Sequence, residues 1–293
     1  MVVGHHKGQS HMQLMSHTRL HQRGFTIVEL LLAVSLSSVV VVVFIGMIMN
    51  TYIRSGRNTV QLELNGNLQN ALVDVERDIR LSTKYSTVLP SPFSDPNAPS
   101  GGWTHRGTPS DEDKRVLILK ANATTNNPYS PSRQPVYVHG GLANPYIVQD
   151  ALLNCSSAPP NGTLYINPQL PFYIVYFVDN NKLYRRILTD TSTTVCNGAQ
   201  QYQKQSCPSG TGGSCTAKDE IIATDVTKFS VDYYQQTDDP SPTFVLLDPY
   251  KTVDPDNLAL ADNLHVTIGL QRTIDSVPVT AELSITATRI NEE

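Results

Sequence analysis

From Leu30 to Met49 the chain runs for twenty residues without a formal charge, built mainly from Val, Leu, Ile, Phe and Met. As a helix rising about 1.5 Å per residue, such a run spans about 30 Å, the thickness of a bilayer's hydrocarbon core. Apolar residues begin earlier, at Phe25, so one carboxylate, Glu29, falls inside the leading edge. A lone carboxylate in lipid is costly unless it meets a partner, which marks Glu29 as a functional position. No small-residue cleavage site follows the run and no proline occurs before Pro90, so residues 30–49 read as a retained transmembrane anchor, not a signal peptide.

The pattern stays helical past the anchor, from Phe25 to about Ser86. Leu64, Leu68, Leu72, Val75 and Ile79 step by three or four and make one apolar stripe, with Glu63, Asn67, Asn70, Asp74, Arg77 and Asp78 largely off it. That stripe is expected to bury against a sheet. Asp74 with Arg77 and Glu76 with Arg80 stand at helical spacing with the acid first. Gly46, Gly56 and Gly66 lower helix stability locally and predict bending.

Beyond residue 89 the period changes. "PSPFSDPNAPSGGWTHRGTPS" opens a proline- and glycine-rich linker, residues 90–114, in which no regular element persists. "RVLILKA" (Arg115 to Ala121) and "PVYVHG" (Pro135 to Gly140) read as strands. A short helix or strand is expected around Ile147 to Leu153. Phe172 to Asp190 is the strongest β signal, two β-branched and aromatic runs joined by an Asp-Asn-Asn turn. A strand in "EIIATD", another over Phe229–Tyr234 and a terminal pair joined by "IDSV" complete one antiparallel sheet of about five to seven strands.

Charge and chemistry narrow the function. Residues 1–24 carry Lys7, Arg19 and Arg23 and no acid, leaving 22 − 3 = 19 bases against 26 acids, a formal −7, on the rest. Such a balance does not attract nucleic acid. The one basic cluster, Lys182, Arg185 and Arg186, splits across the two faces of a strand and reads as β-surface charge. The basic leader keeps the N-terminus cytoplasmic under the positive-inside rule, so the body faces outward. The four cysteines, Cys155, Cys196, Cys207 and Cys215, lie in loop-like sequence without a CxxC pair, the pattern of disulfides in an oxidising compartment. Their connectivity stays open. Downstream of the leader only His105, His139 and His265 remain, with no GxSxG, HExxH or phosphate loop, so no enzyme, cofactor or metal is expected. Asp238, Asp239, Asp254 and Asp256 lie near prolines and read as turn formers, not a calcium loop.

"RGFTIVELLLAV", Arg23 to Val34, resembles the prepilin cleavage and methylation motif of bacterial type IV pilins and type II secretion pseudopilins. The resemblance implies cleavage between Gly24 and Phe25 by a prepilin peptidase, N-methylation of Phe25, and Glu29 as the fifth mature residue. It also implies an inner-membrane assembly platform and other pilin subunits as partners. The residue types have physical reasons: Gly24 presents no side chain to a peptidase cleft, and a new amine in an apolar setting needs an opposite charge, which Glu29 of a neighbour supplies. The order of "LVDVERDIRLS", "IVYFVDNNKLYRRI", "DVTKFSVDYY" and a terminal hairpin is similar to PilW-like minor pilins and J-type pseudopilins, from which the insert Thr191 to Cys215 departs. The expected organisation is a cleaved leader (1–24), a long helix (25–89), a linker (90–114) and an exported β-rich domain (115–293) with a cysteine-containing loop (191–215). The expected fold is α+β and pilin-like, a long N-terminal helix packed on an antiparallel sheet. The expected role is a minor filament subunit, with a helix-anchored surface adhesin or binding module, or a type II secretion or competence pseudopilin, as the alternatives.

Overall fold

The computed structural model describes residues 26–91, 93–106, 113–138, 169–190, 200–210, 215–236, 244–247, 258 and 261–289. The expected element around residues 147–153 and most of the 191–215 loop lie outside the described residues. The chain divides into two compact units, Met1–Ser55 and Gly56–Glu293, with the boundary inside helix α1 (Ile27–Leu81).

In the first unit every described residue except Ile53 is exposed, including Leu30, Val34, Phe44 and Met47. Five consecutive valines, Val39–Val43, are poor helix formers in water, but a helix satisfies all its own backbone groups and is the stable form in lipid. Its polar side chains are also closed inward. Ser35, Ser37, Ser38 and Thr51 donate their hydroxyls to the carbonyls of Leu32, Ala33, Ser35 and Met47, at 2.7–2.9 Å. Among the described residues, α1 is the one helix long and apolar enough to cross a membrane.

In the second unit the expected stripe is buried: Leu64, Leu68, Val75 and Ile79 have no exposed surface and Leu72 almost none. Asp74–Arg77 and Glu76–Arg80 pair as their spacing predicts. The glycines do not interrupt the helix, which is continuous from Ile27 to Leu81. It stops five residues short of Ser86 because "STKY" (β1, Ser82–Tyr85) joins a sheet, and Ser82 Oγ donates to the Ile79 carbonyl at 2.7 Å.

The body is α+β, with antiparallel sheets on the helix. Instead of one sheet there are two main ones. The first has the order β1–β2–β3–β4–β7, with β2 Leu117–Asn122, β3 Pro171–Asp179, β4 Lys182–Thr189 and β7 Glu220–Thr224. The second has the order β11–β10–β8–β9, with β8 Val226–Gln236, β9 Phe244–Leu247, β10 Asn263–Ile274 and β11 Val277–Thr288. A two-residue parallel pair, β5 (Ser206–Cys207) and β6 (Ala217–Lys218), lies beside them. The split occurs at Asp225, whose φ of 62° turns the chain out of the first sheet after β7. Arg272 holds that carboxylate from Nε and Nη2, at 3.0 and 2.8 Å.

Both expected hairpins are present. Asn180 and Asn181 (φ 48° and 56°) join β3 to β4, and Asp275 and Ser276 (φ 49° and 64°) join β10 to β11, the left-handed pairs that two-residue hairpin turns require. The expected strand at Arg115 begins two residues later. The Arg115 amide donates to Phe229 O and the Val116 amide to His105 O, so the regular ladder starts at Leu117. Pro135–Val138 forms isolated bridges in place of a strand, as a proline at its head removes one ladder donor.

Two cores flank the first sheet. The helix stripe packs with Leu117, Leu119, Ile174 and Tyr176 on one face and with Phe229, Val231, Val266 and Ile268 of the second sheet. Ile118, Tyr173, Val175 and Phe177 point the other way and are covered by Leu89, Phe93 and Trp103. The described part of the proline-rich 90–114 segment is therefore a lid over the outer face of the sheet.

Candidate functional site

The N-terminal site begins at Thr26, since Gly24, Phe25 and the rest of the leader lie outside the described residues. Thr26 is the N-cap of α1: its carbonyl accepts the first helical bond, from Leu30 N, at 3.1 Å. The Thr26 amide and hydroxyl both donate to Glu29 Oε2 at 3.0 Å, and the Glu29 amide donates back to Thr26 Oγ1 at 3.3 Å. This is a capping box, Thr-x-x-Glu, in which side chain and backbone satisfy each other's unpaired donors. The negative charge sits where the helix dipole is positive. The two bonds to the carboxylate both use Oε2, which leaves Oε1 outside the capping box. Thr26 was missed from sequence although the Thr-x-x-Glu signal stands in the chain; the charge of Glu29 drew the whole reading toward a distant partner.

Two ionic sites of the body are built on β4. Arg185 and Arg186 point to opposite faces, as strand alternation requires, but neither is surface charge. On the helix side, Arg185 donates from Nε and Nη2 to the two oxygens of Asp78, at 2.5 and 3.2 Å, and Tyr176 OH donates to Asp78 Oδ2 at 2.6 Å. Asp78, placed off the stripe by its polarity, is buried. Burial raises the Tyr176 hydroxyl well above its usual range, with the Asp78 charge adding to it. The same two causes push Tyr129, whose hydroxyl lies 3.4 Å from Asp78 Oδ1, up to about 12.

On the outer side Arg186 is held by two buried carboxylates. Its Nη1 donates to Asp95 at 2.7 Å, and Nε and Nη2 donate to Asp219 at 3.1 and 2.5 Å. Trp103 Nε1 donates to Asp95 at 2.7 Å, and the Arg186 guanidinium lies 4.9 Å from the Phe177 ring centroid. Both arginines are spent on carboxylates, Arg186 buried and Arg185 partly buried, so the expected surface cluster with Lys182 is not formed. Sequence could not show this, because Asp95 and Asp219 lie 91 and 33 residues from Arg186.

Cys207 and Cys215 carry free thiols joined by a hydrogen bond to each other. Cys155 and Cys196 lie outside the described residues, as do His139, Asp238, Asp239, Asp254 and Asp256. His105 is buried against the Thr87 carbonyl, 3.3 Å from Nδ1, and His265 meets Thr286 Oγ1 at 3.2 Å.

Residues 19–48 match the family model of the prokaryotic N-terminal methylation motif. No curated protein and no solved structure matches the chain. The matched motif runs directly into a long apolar helix followed by antiparallel sheets, an arrangement that supports a type IV pilin-like or pseudopilin-like chain.

Proposed function

We propose that the chain is a low-copy subunit of a pilus or pseudopilus, cut between Gly24 and Phe25 by a prepilin peptidase, N-methylated at Phe25, and assembled through α1. The observation that carries this reading is the capped carboxylate of Glu29 at the head of the exposed apolar segment of α1. An apolar surface of that length needs either lipid or neighbouring helices to cover it. The helix is first an anchor, with its N-terminus cytoplasmic and the body outside, and then a packing surface in the filament. Glu29 Oε1 accepts the Phe25 amine of a neighbour while Oε2 keeps capping its own helix. A subunit docked at the wrong height leaves both charges unpaired in an apolar setting, so the pair sets the register.

Gly24 replaced by a bulky residue is expected to leave the precursor, heavier by the 24-residue leader on intact-protein mass spectrometry. Glu29→Ala is expected to be cleaved normally and to enter filaments poorly; incorporation at the wild-type level would overturn the charge-pair mechanism. A second reading, a helix-anchored binding module, draws on a basic pocket in the body. Immunogold label on sheared filaments favours the subunit; label left in the membrane favours the anchored module.

A further inference from the structure

We propose that the pocket between the last turn of α1 and the helix-facing side of the first sheet binds an acidic saccharide, one or two hexuronate rings in size. The cavity has a volume of about 710 Å³, within the range of small-molecule sites. Arg77, Arg133, Arg185 and Lys204 line it; Arg77 is paired with Asp74, and Arg185 with Asp78 and Glu220, which leaves the charges of Arg133 and Lys204. Asp78 is already consumed by Arg185 and Tyr176. Arg133 and Lys204 are exposed, and among the described residues neither forms an ion pair. Their charge stands unbalanced at the mouth of an otherwise acidic protein.

The walls are pre-formed. The Tyr202 amide donates to Thr124 O at 2.7 Å, and Gln203 grips Thr124 through both ends of its amide, at 3.0 and 2.9 Å. The guanidinium of Arg77 lies 4.6 Å from the Tyr129 ring centroid. A ligand entering such a site pays little to order it.

Shape and chemistry choose the ligand. Tyr129 and Tyr202 present half-exposed rings at the cavity, flat faces for the apolar side of a sugar ring. Amide and hydroxyl groups of the lining match ring hydroxyls, and the cations match a carboxylate through charge-assisted bonds. A nucleic acid strand needs a continuous basic track, and the net charge of −7 beyond residue 24 repels one.

The inference gives the binding-module reading its ligand class and rests on the body facing outward. Binding is read on the isolated protein, so its failure leaves the filament reading untouched. The test is titration calorimetry of the full-length protein in detergent micelles with digalacturonate, its neutral counterpart digalactose, inorganic phosphate and a short poly-glutamate peptide. Expected are saturable binding of digalacturonate, no binding of digalactose, and a loss of about tenfold in affinity for each of Arg133→Gln and Lys204→Gln, the worth of one charge-assisted bond. Trp103 fluorescence, whose source lies on the other face of the sheet, checks that the variants are folded. Equal binding of digalactose, phosphate or the peptide would overturn the saccharide assignment. Unchanged affinity in the folded double variant, or no digalacturonate binding at all, would overturn the site.

Discussion

Arg186→Met isolates one buried interaction. The side chains of Arg186, Asp95 and Asp219 are 2, 1 and 3 % exposed, and the substitution strands two carboxylates in the outer core, leaving them Trp103 Nε1, the Asn97 amide and Ser206 Oγ as donors. Breaking a buried pair from one side costs about 3–5 kcal/mol. The comparison is Arg80→Met, which removes an ion pair of similar length whose partners are 56 and 30 % exposed, and which is worth about 0.3–0.5 kcal/mol. Trp103, the chain's one tryptophan, sits inside the network and reports unfolding by fluorescence. With a urea slope of about 2–3 kcal/mol per molar for a domain of this size, Arg186→Met lowers the midpoint by roughly 1–2 M and Arg80→Met barely moves it. Asp95→Asn and Asp219→Asn added to Arg186→Met remove the stranded charges, and the triple variant is expected to recover part of the loss. Equal, small shifts for Arg186→Met and Arg80→Met would refute the claim that burial gives this network its weight.

Thr26→Val keeps the side-chain volume but removes the cap hydroxyl; the first turn of α1 is expected to lose about 1 kcal/mol, read as roughly fivefold faster hydrogen exchange at its amides, while Thr26→Ser stays near wild type. Tyr129 and Tyr176 are neutral in the fold and release protons more readily when unfolded, near 10.0. The stability they carry is present below pH 10 and is lost as pH rises toward about 12; a tyrosinate titration of the folded protein with all tyrosines ionising near 10.0 would contradict this. The neighbouring thiols of Cys207 and Cys215 are expected to join when a small disulfide is supplied, each of its sulfurs leaving as a thiol; peptide mapping without reduction should find the two peptides linked. Leu68→Ala empties a fully buried site on the helix stripe and is expected to cost about 2–5 kcal/mol by the same urea assay.

Features set by neighbours in the chain were legible in advance. The stripe from Leu64 to Ile79, the Asp74–Arg77 and Glu76–Arg80 pairs, and the turns at Asn180–Asn181 and Asp275–Ser276 all follow from local spacing and turn chemistry. What depends on distant partners was not. Asp78 looked solvated because its polarity is local information, whereas its partner Arg185 lies 107 residues away. The division into two sheets turns on one left-handed residue, Asp225, in the connection between two expected strands, and local sequence shows that break without showing that the strands pair in different sheets. The proline-rich 90–114 segment has no periodicity, yet Phe93 and Trp103 pack on the sheet as core residues. The N-terminal site divides in the same way: Glu29 was singled out by its charge, and its local partner Thr26 was hidden behind the expectation of a remote one.

Two consecutive residues of β4 grip opposite layers, Arg185 the helix through Asp78 and Arg186 the outer lid and the cysteine-bearing segment through Asp95 and Asp219. In mechanical terms this is a load path. Tension entering the body along α1 reaches Asp78, crosses one peptide bond of a central strand, and leaves into the outer layer. A force applied along the body's part of α1 is thereby shared among the helix, the sheet and the lid.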